Sequence, residues 1–304
     1  MSIIDDLKYT FRQPDNTLKQ LIIINVLVYL VFLIIGTPLG WMGYGWIERM
    51  VLYYLSLPSE PMAFLVKPWT LITYFFTHEG FFHILFNMLN LYWFGMIITE
   101  YLGSRKLLSL YVLGGIAGGL LYMIMYNIMP VFVERNISGL LIGASASVLA
   151  VVVAAATLLP NYTLNLLIIG PVKIKWIAAA LVLMSWALAD DSGGNAGGNI
   201  AHLGGALIGW IFIKQLQRGN DMGRPVLAVT DFFSNLFKRK PKLRVSHRRT
   251  NSSSTRANGS TAASHPGTPD QHEIDRILDK ISSSGYESLS KEEKQKLFQA
   301  SQKE

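Results

Sequence analysis

Six apolar runs, at residues 19–36, 82–100, 107–130, 145–159, 175–189 and 200–214, constrain this chain more than any other feature. Crossing about 30 Å of hydrocarbon at about 1.5 Å per helical residue takes about 20 residues. Three of the runs, of 18, 19 and 24 residues, approach or exceed that length, and three, of 15 residues each, fall short of it. A backbone inside lipid must satisfy its own hydrogen bonds, so such runs form helices. The expected fold class is therefore all-α: a polytopic membrane protein with six transmembrane helices. Only 15% of the 304 residues are charged, against about 25% in a soluble domain. Most of the charge lies beyond about position 218.

Loop charge sets the expected orientation. Lys8, Arg12 and Lys19 flank the first run, Arg105 and Lys106 the second turn, and Lys173 and Lys175 the fourth. Lys214, Arg218 and Lys238-Arg239-Lys240 follow the sixth. These alternate to one side, expected to be the cytoplasm together with both termini, while Asp190-Asp191 falls on the other. The net charge of +7 then reflects this bias and an anionic leaflet rather than nucleic acid. The first run follows Lys19 and Gln20 with no small-residue cleavage site behind it, so it is expected to be a span and not a cleaved signal. Residues 41–77 form a large first extracytoplasmic loop rich in Trp and Tyr, with an element lying in the interface.

The expected organisation is a cytoplasmic segment at 1–17, a six-helix membrane domain at 18–218, a basic and mostly disordered linker at 219–269, and a short helical hairpin or tail at 270–304. Within that tail Asp270 with Glu273 and Ser290 with Glu293 have capping-box spacing. Ile274, Ile277, Leu278 and Ile281 form one apolar stripe. Cys is absent, which excludes thiol chemistry and disulfides.

Ionisable and amide groups inside a membrane are costly and mark candidate sites. His83, Asn87 and Asn90 fall at i, i+4 and i+7 on one face of the second run, with Asn90 expected in interhelical hydrogen bonding. Ser145 and Ser147 open the fourth run, and His202 lies in the sixth. Gly143 and Ala146 flank Ser145 with little bulk, so a carbonyl could approach its oxygen. The start of a helix also offers free N–H groups to an oxyanion. At about 22 Å the fourth run is shorter than the bilayer core, which puts Ser145 below the outer surface. Ala146, Ala150 and Ala154 repeat every fourth residue, as do Ala201, Gly205 and Gly209. If those faces pack, His202 meets Ser145 and can serve as its general base.

With these residues the chain resembles the rhomboid intramembrane proteases over about residues 18–218, most closely the bacterial members. The resemblance rests on Pro68-Trp69 leading to His78, on His83-Ile84-Leu85-Phe86-Asn87, and on Glu100 with Gly103. Gly143-Ala144-Ser145 and Ala201-His202-Leu203-Gly204-Gly205 complete the ordered set. It implies a rhomboid six-helix bundle in a bacterial cytoplasmic membrane, with Ser145 as nucleophile and His202 as base in a dyad without aspartate. It implies that the side chains of His83 and Asn87, with the Ser145 N–H, hold the oxyanion. No metal or cofactor is implied. The partners implied are transmembrane protein substrates within the lipid bilayer, and the loop with Asp190-Asp191-Ser192-Gly193-Gly194 would cap the site. Ala146 stands where glycine is frequent, and Leu149 where many members place an aromatic against the histidine.

Other readings remain open on the sequence. A catalytically inactive rhomboid-like escort factor would share the bundle, and a transporter would also bury polar groups. His78-Glu79-Gly80-Phe81-Phe82-His83 imitates a zinc-protease motif, but histidines five apart splay by about 140° on a helix instead of about 40°. Asp190 and Asp191, adjacent in one loop, cannot face each other as an aspartyl pair.

Overall fold

The computed structural model describes residues 3–13, 15–135, 137–166, 170–189, 194–237, 271–284 and 288–301. It divides into two compact units, Met1–Lys240 and Pro241–Glu304. In the first, α1 (Ile3–Arg12) precedes α2 (Thr17–Val31), which runs through a π-helical segment, Phe32–Gly36, into α3 (Thr37–Trp41). The expected span at 19–36 thus continues for another turn. Pro38 sits in the first turn of α3. Its missing N–H would orphan a carbonyl of the preceding turn, and the wider π turn upstream absorbs that defect.

The large first loop holds α4 (Gly45–Leu55), β1 (Leu57–Pro58), α5 (Pro61–Val66), α6 (Thr70–Thr73) and a 3₁₀ turn at Tyr74–Phe76. Lys67, 3% exposed, donates to the Tyr53 carbonyl at 3.0 Å and lies over the Tyr53 ring. The Trp69 indole donates to the Tyr54 carbonyl at 2.8 Å and Thr73 to that of Leu55 at 2.7 Å. Trp41, Tyr44, Trp46, Tyr53 and Tyr54 stay exposed around this pack, a surface suited to lipid headgroups.

The bundle continues with α7 (Phe81–Leu102), α8 (Ser104–Ile128), α9 (Pro130–Val133), β2 (Leu140–Leu141), α10 (Ser145–Leu158), β3 (Thr163–Leu166), β4 (Gly170–Lys173), α11 (Ile174–Ala187), α12 (Ala196–Gln217) and α13 (Arg224–Phe237). Thr17–Trp41, α7, α8 and α12 are long and apolar enough to cross a membrane, and α10 and α11 are shorter apolar helices. The result is an all-α polytopic bundle of six helices. Among the described residues its strands form two short antiparallel pairs, β1 with β2 and β3 with β4.

Helices α8, α10 and α12 form the centre because their facing residues are small. A Cβ on Gly205 would lie 2.1 Å from the Ala146 carbonyl oxygen, and one on Gly209 2.3 Å from that of Ala150. Likewise, one on Gly118 would lie 2.7 Å from the Ala201 oxygen. Backbones this close gain dispersion where lipid offers no hydrophobic drive. Bulk goes outward: Trp176, Leu183, Trp186, Leu207 and Trp210 are exposed to the surroundings.

A buried polar chain ties the outer elements in. Asn25, fully buried on α2, donates to the Tyr111 hydroxyl at 3.0 Å, and Tyr111 donates to the Phe75 carbonyl at 2.9 Å. Next to it Tyr74 donates to the Gly115 carbonyl at 2.6 Å. The buried side chains of Asn25, Tyr111 and Tyr74 therefore each have a partner, and the turn at Tyr74–Phe76 is held against α8.

Part of the segment expected as linker is helical. In α13, Val229, Phe232, Phe233 and Leu236 share one face. Asp231, on the opposite face, pairs with Arg105 at 2.5 Å, while Asp221, just before α13, pairs with Lys106. These pairs fix the segment to the turn between α7 and α8. The rest of the linker, including the stretch at 244–270 expected to be disordered, lies outside the described residues. The hydrogen bond from Lys106 holds the Asp221 carboxyl below its ordinary range, helped by the Gly223 N–H. A depressed folded value adds stability above the unfolded value of about 3.9 that is lost as pH falls through the folded one. The protection of α13 amides, taken as the exchange rate corrected for the intrinsic rate at each pH, should accordingly fall between pH 5 and pH 2 by roughly the few-fold that one partly exposed pair supports. Asp221→Asn should show the lower protection already at pH 5, and identical profiles for the two proteins would contradict the tether.

In the second unit α14 (Gln271–Ser284) and α15 (Lys291–Ser301) are joined by Lys280–Glu293 and Lys296–Glu273 pairs at 2.9 and 2.7 Å. The Ser290 N–H donates to Glu293 at 2.7 Å and the Glu293 N–H to Ser290 at 3.3 Å, a reciprocal cap. Ile277 is buried, whereas Leu278 is about half exposed. Asp270 lies outside the described residues.

Candidate active site

The segment leading into α10 is held from two sides. The β1–β2 pairing joins Leu57 to Leu141, the Ser59 N–H donates to the Gly139 carbonyl at 3.0 Å, and the Gly139 N–H donates to the Ser59 hydroxyl at 3.0 Å. The Gly143 N–H donates to the Tyr74 carbonyl at 2.9 Å. Gly143 has φ +114°, where a side chain would be strained, and a Cβ there would lie 2.7 Å from the His83 ring and 3.8 Å from the Ser145 hydroxyl oxygen. The glycine thus keeps open the space between His83 and Ser145. Ala144 then caps α10, and Ser145 is its first residue.

His202 projects from α12 so that its Nε2 is 2.6 Å from Ser145 Oγ. The two are 57 residues apart in sequence. They meet because Gly205, one turn beyond His202, rests on the Ala146 carbonyl directly after Ser145. Of the small residues expected to support the site, Ala146 and Gly205 therefore act through close approach of backbones, and Gly143 by leaving room beside the His83 ring. At this distance the hydroxyl can donate to Nε2 and pass its proton there during attack on a carbonyl. The other ring nitrogen, Nδ1, lies 3.0 Å from Ser185 Oγ on α11, a residue that sequence reasoning missed. Leu149, buried on α10, lies with His202 and Ser185 along an apolar cleft of about 170 Å³.

Ser145 and His202 line a cavity of about 830 Å³ shared with His83, Asn87 and Asn90. Asn87 is buried and donates one N–H to the His83 carbonyl at 2.9 Å, which leaves its second N–H available. Asn90 donates to Phe86 of its own helix at 2.8 Å, so it does not make the expected bond between helices with that proton. Ser147, two residues from Ser145, is fully buried with no partner for its hydroxyl, on the side of Gly115 and away from this group. His78 precedes α7 and packs its ring edge-on to His83, centroids 5.2 Å apart. Burial, then the neighbouring His83, pushes His78 down to about 4, so this ring is neutral at neutral pH. No three His, Asp or Glu side chains converge among the described residues. Of the expected cap, Asp190, Asp191, Ser192 and Gly193 lie outside the described residues.

Residues 66–218 match the Rhomboid domain family, and residues 268–303 match a family of unknown function. Among curated proteins, the chain is 30% identical over 158 residues to RHOMBOID-like protein 12, mitochondrial, of Arabidopsis thaliana, covering 49% of this chain and 47% of that one. It is 28% identical over 224 residues to Rhomboid protein 1, mitochondrial, of Saccharomyces cerevisiae, covering 69% and 57%. It is 28% identical over 111 residues to Rhomboid protease GlpG of Salmonella choleraesuis, covering 36% of each. The chain spans about half the length of the mitochondrial relatives it matches. Four curated relatives, the first two above among them, carry mitochondrial names, which contradicts the expected bacterial cytoplasmic membrane. The sequence motifs are shared across the family, so they carry no address. The multi-pass membrane character stands.

Proposed function

The chain belongs to the rhomboid family, and from that premise we propose that it is an intramembrane serine endopeptidase cutting transmembrane segments of other membrane proteins. The observation that carries this reading is the 2.6 Å approach of Ser145 Oγ to His202 Nε2 at the wall of the 830 Å³ cavity. Ser145 attacks the scissile carbonyl while His202 takes its proton. His202 then returns the proton to the leaving amine, and water repeats the cycle on the acyl-enzyme. The charge that develops on the carbonyl oxygen is met by the Ser145 N–H, free at the start of α10, and by the His83 and Asn87 side chains. The substrates are proteins with a transmembrane segment that can unwind enough to present an extended bond, and the names of the relatives favour a mitochondrial membrane.

The test is cleavage of a tagged single-span protein by the full chain in lipid vesicles. Cleavage supports the reading, and stable binding of the span without cleavage would replace it with an escort function. Asn87→Ala should lower kcat by about 100- to 1000-fold with little change in KM, because the donor acts on charge that exists only in the transition state. A variant with unchanged kcat would remove Asn87 from the oxyanion site.

A further inference from the structure

We propose that Ser185 is a positioning residue for the base, holding the orientation of the His202 ring from a third helix and accepting from Nδ1 in the reactive tautomer; this rests on the protease reading of the same site. His202 carries two ring nitrogens with opposite tasks. Nε2 must be bare to accept the Ser145 proton, so the resting neutral ring has to hold its own proton on Nδ1. An N–H in apolar surroundings needs an acceptor. Ser185 Oγ, 3.0 Å from Nδ1, is that acceptor.

The alternative tautomer is unproductive. With the proton on Nε2 the ring would donate to Ser145 Oγ, 2.6 Å away, and could not deprotonate it. The hydroxyls on both sides of the ring, Ser145 and Ser185, can donate or accept, so both contacts persist in either tautomer and what they fix is the ring's direction. Leu149 is buried in the same cleft and offers only apolar contact. Ser185 therefore fixes where the ring points, keeping Nε2 against Ser145 Oγ, and it accepts from Nδ1 when the proton is there.

Ser185 is itself 6% exposed on an otherwise apolar face of α11. A serine in such a helix commonly bonds back to the carbonyl four residues earlier and does nothing more. Here its oxygen is aimed at a ring on α12, so three helices contribute one group each: Ser145 from α10, His202 from α12 and Ser185 from α11. The third member is neutral. It can orient the ring and accept from Nδ1 in both protonation states, but it supplies no countercharge to the imidazolium.

The experiment compares Ser185→Ala, Ser185→Thr and Ser185→Val in the full chain in lipid vesicles, with Ser145→Ala alongside and a single-span substrate. Losing one hydrogen bond to the base should reduce kcat by about 10-fold in the alanine and valine variants while KM stays within about 2-fold. Threonine, which has the bulk of valine but keeps the hydroxyl, should restore most of kcat. Labelling by a serine-directed fluorophosphonate, which needs no substrate span, should slow in the same order. Wild-type kcat in the alanine and valine variants would overturn the inference, as would threonine as slow as valine, since packing alone would then be at stake. Cleavage by Ser145→Ala would instead bring down the protease reading, and this inference with it.

Discussion

Ser145→Ala leaves the protein folded and its cleavage of a single-span substrate about 10⁶-fold lower, which is below detection. The loss is this large because the nucleophile has no substitute: it corresponds to about 8 kcal/mol of transition-state stabilisation at about 1.36 kcal/mol per tenfold. Folding is spared for a local reason. Ser145 is the first residue of α10, and among the described residues its hydroxyl pairs with His202 alone, at 2.6 Å. Alanine is a good helix former and removes no packing volume from the α10–α12 seam. Cleavage assays with purified protein in vesicles, alongside a thermal melt, separate the two effects. Substantial residual cleavage would mean that the reaction does not pass through Ser145.

Gly205→Val should damage both stability and activity. The nearest atoms to a Cβ at Gly205 are the carbonyl oxygen, carbonyl carbon and Cα of Ala146, at 2.1, 2.8 and 3.2 Å. All three belong to backbone, so no flexible side chain can yield. Helix α12 must move away from α10, at a cost of roughly 1–3 kcal/mol or more for overpacking. The same movement separates His202 from Ser145, and about 1 Å of misplacement costs about 100-fold in rate. A lower melting temperature together with at least that loss of kcat is the expected result. Gly40→Ala is the control, because a Cβ there meets nothing within 4 Å. Wild-type stability and rate in Gly205→Val would contradict the seam as the device that unites the two residues.

How much of this was legible in the sequence depended on which physical signal each element carries. The six helices were visible because lipid demands apolar length, and the membrane bundle follows from them. Boundaries were less clear where burial comes from smallness instead of apolarity. Helix α12 begins at Ala196 rather than at 200, because Gly197, Gly198 and Asn199 are buried against the bundle while scoring as polar or neutral. Helix α13 was hidden in a basic linker, although Val229, Phe232, Phe233 and Leu236 already had helical spacing.

The site was legible to the extent that its members are rare in lipid. Ser145 and His202 stood out, and the repeats of small residues around them indicated the seam that brings them within 2.6 Å. The matching repeats on α8, Gly114 with Gly118 and Gly115 with Gly119, were overlooked, though they complete the centre. Asn25 and Ser185 were also missed. A lone serine in an apolar run costs little and draws no attention. Its significance appears only once the fold places it beside a ring nitrogen from another helix.

The central claim, that the Ser145 hydroxyl is activated by His202 inside the membrane bundle, has one direct measurement. The full chain in detergent is labelled with a serine-directed fluorophosphonate and the adduct is located by peptide mapping. The account predicts a single adduct on Ser145 that is lost in His202→Ala. An adduct on another serine, or equal labelling of Ser145 without the histidine, would contradict it.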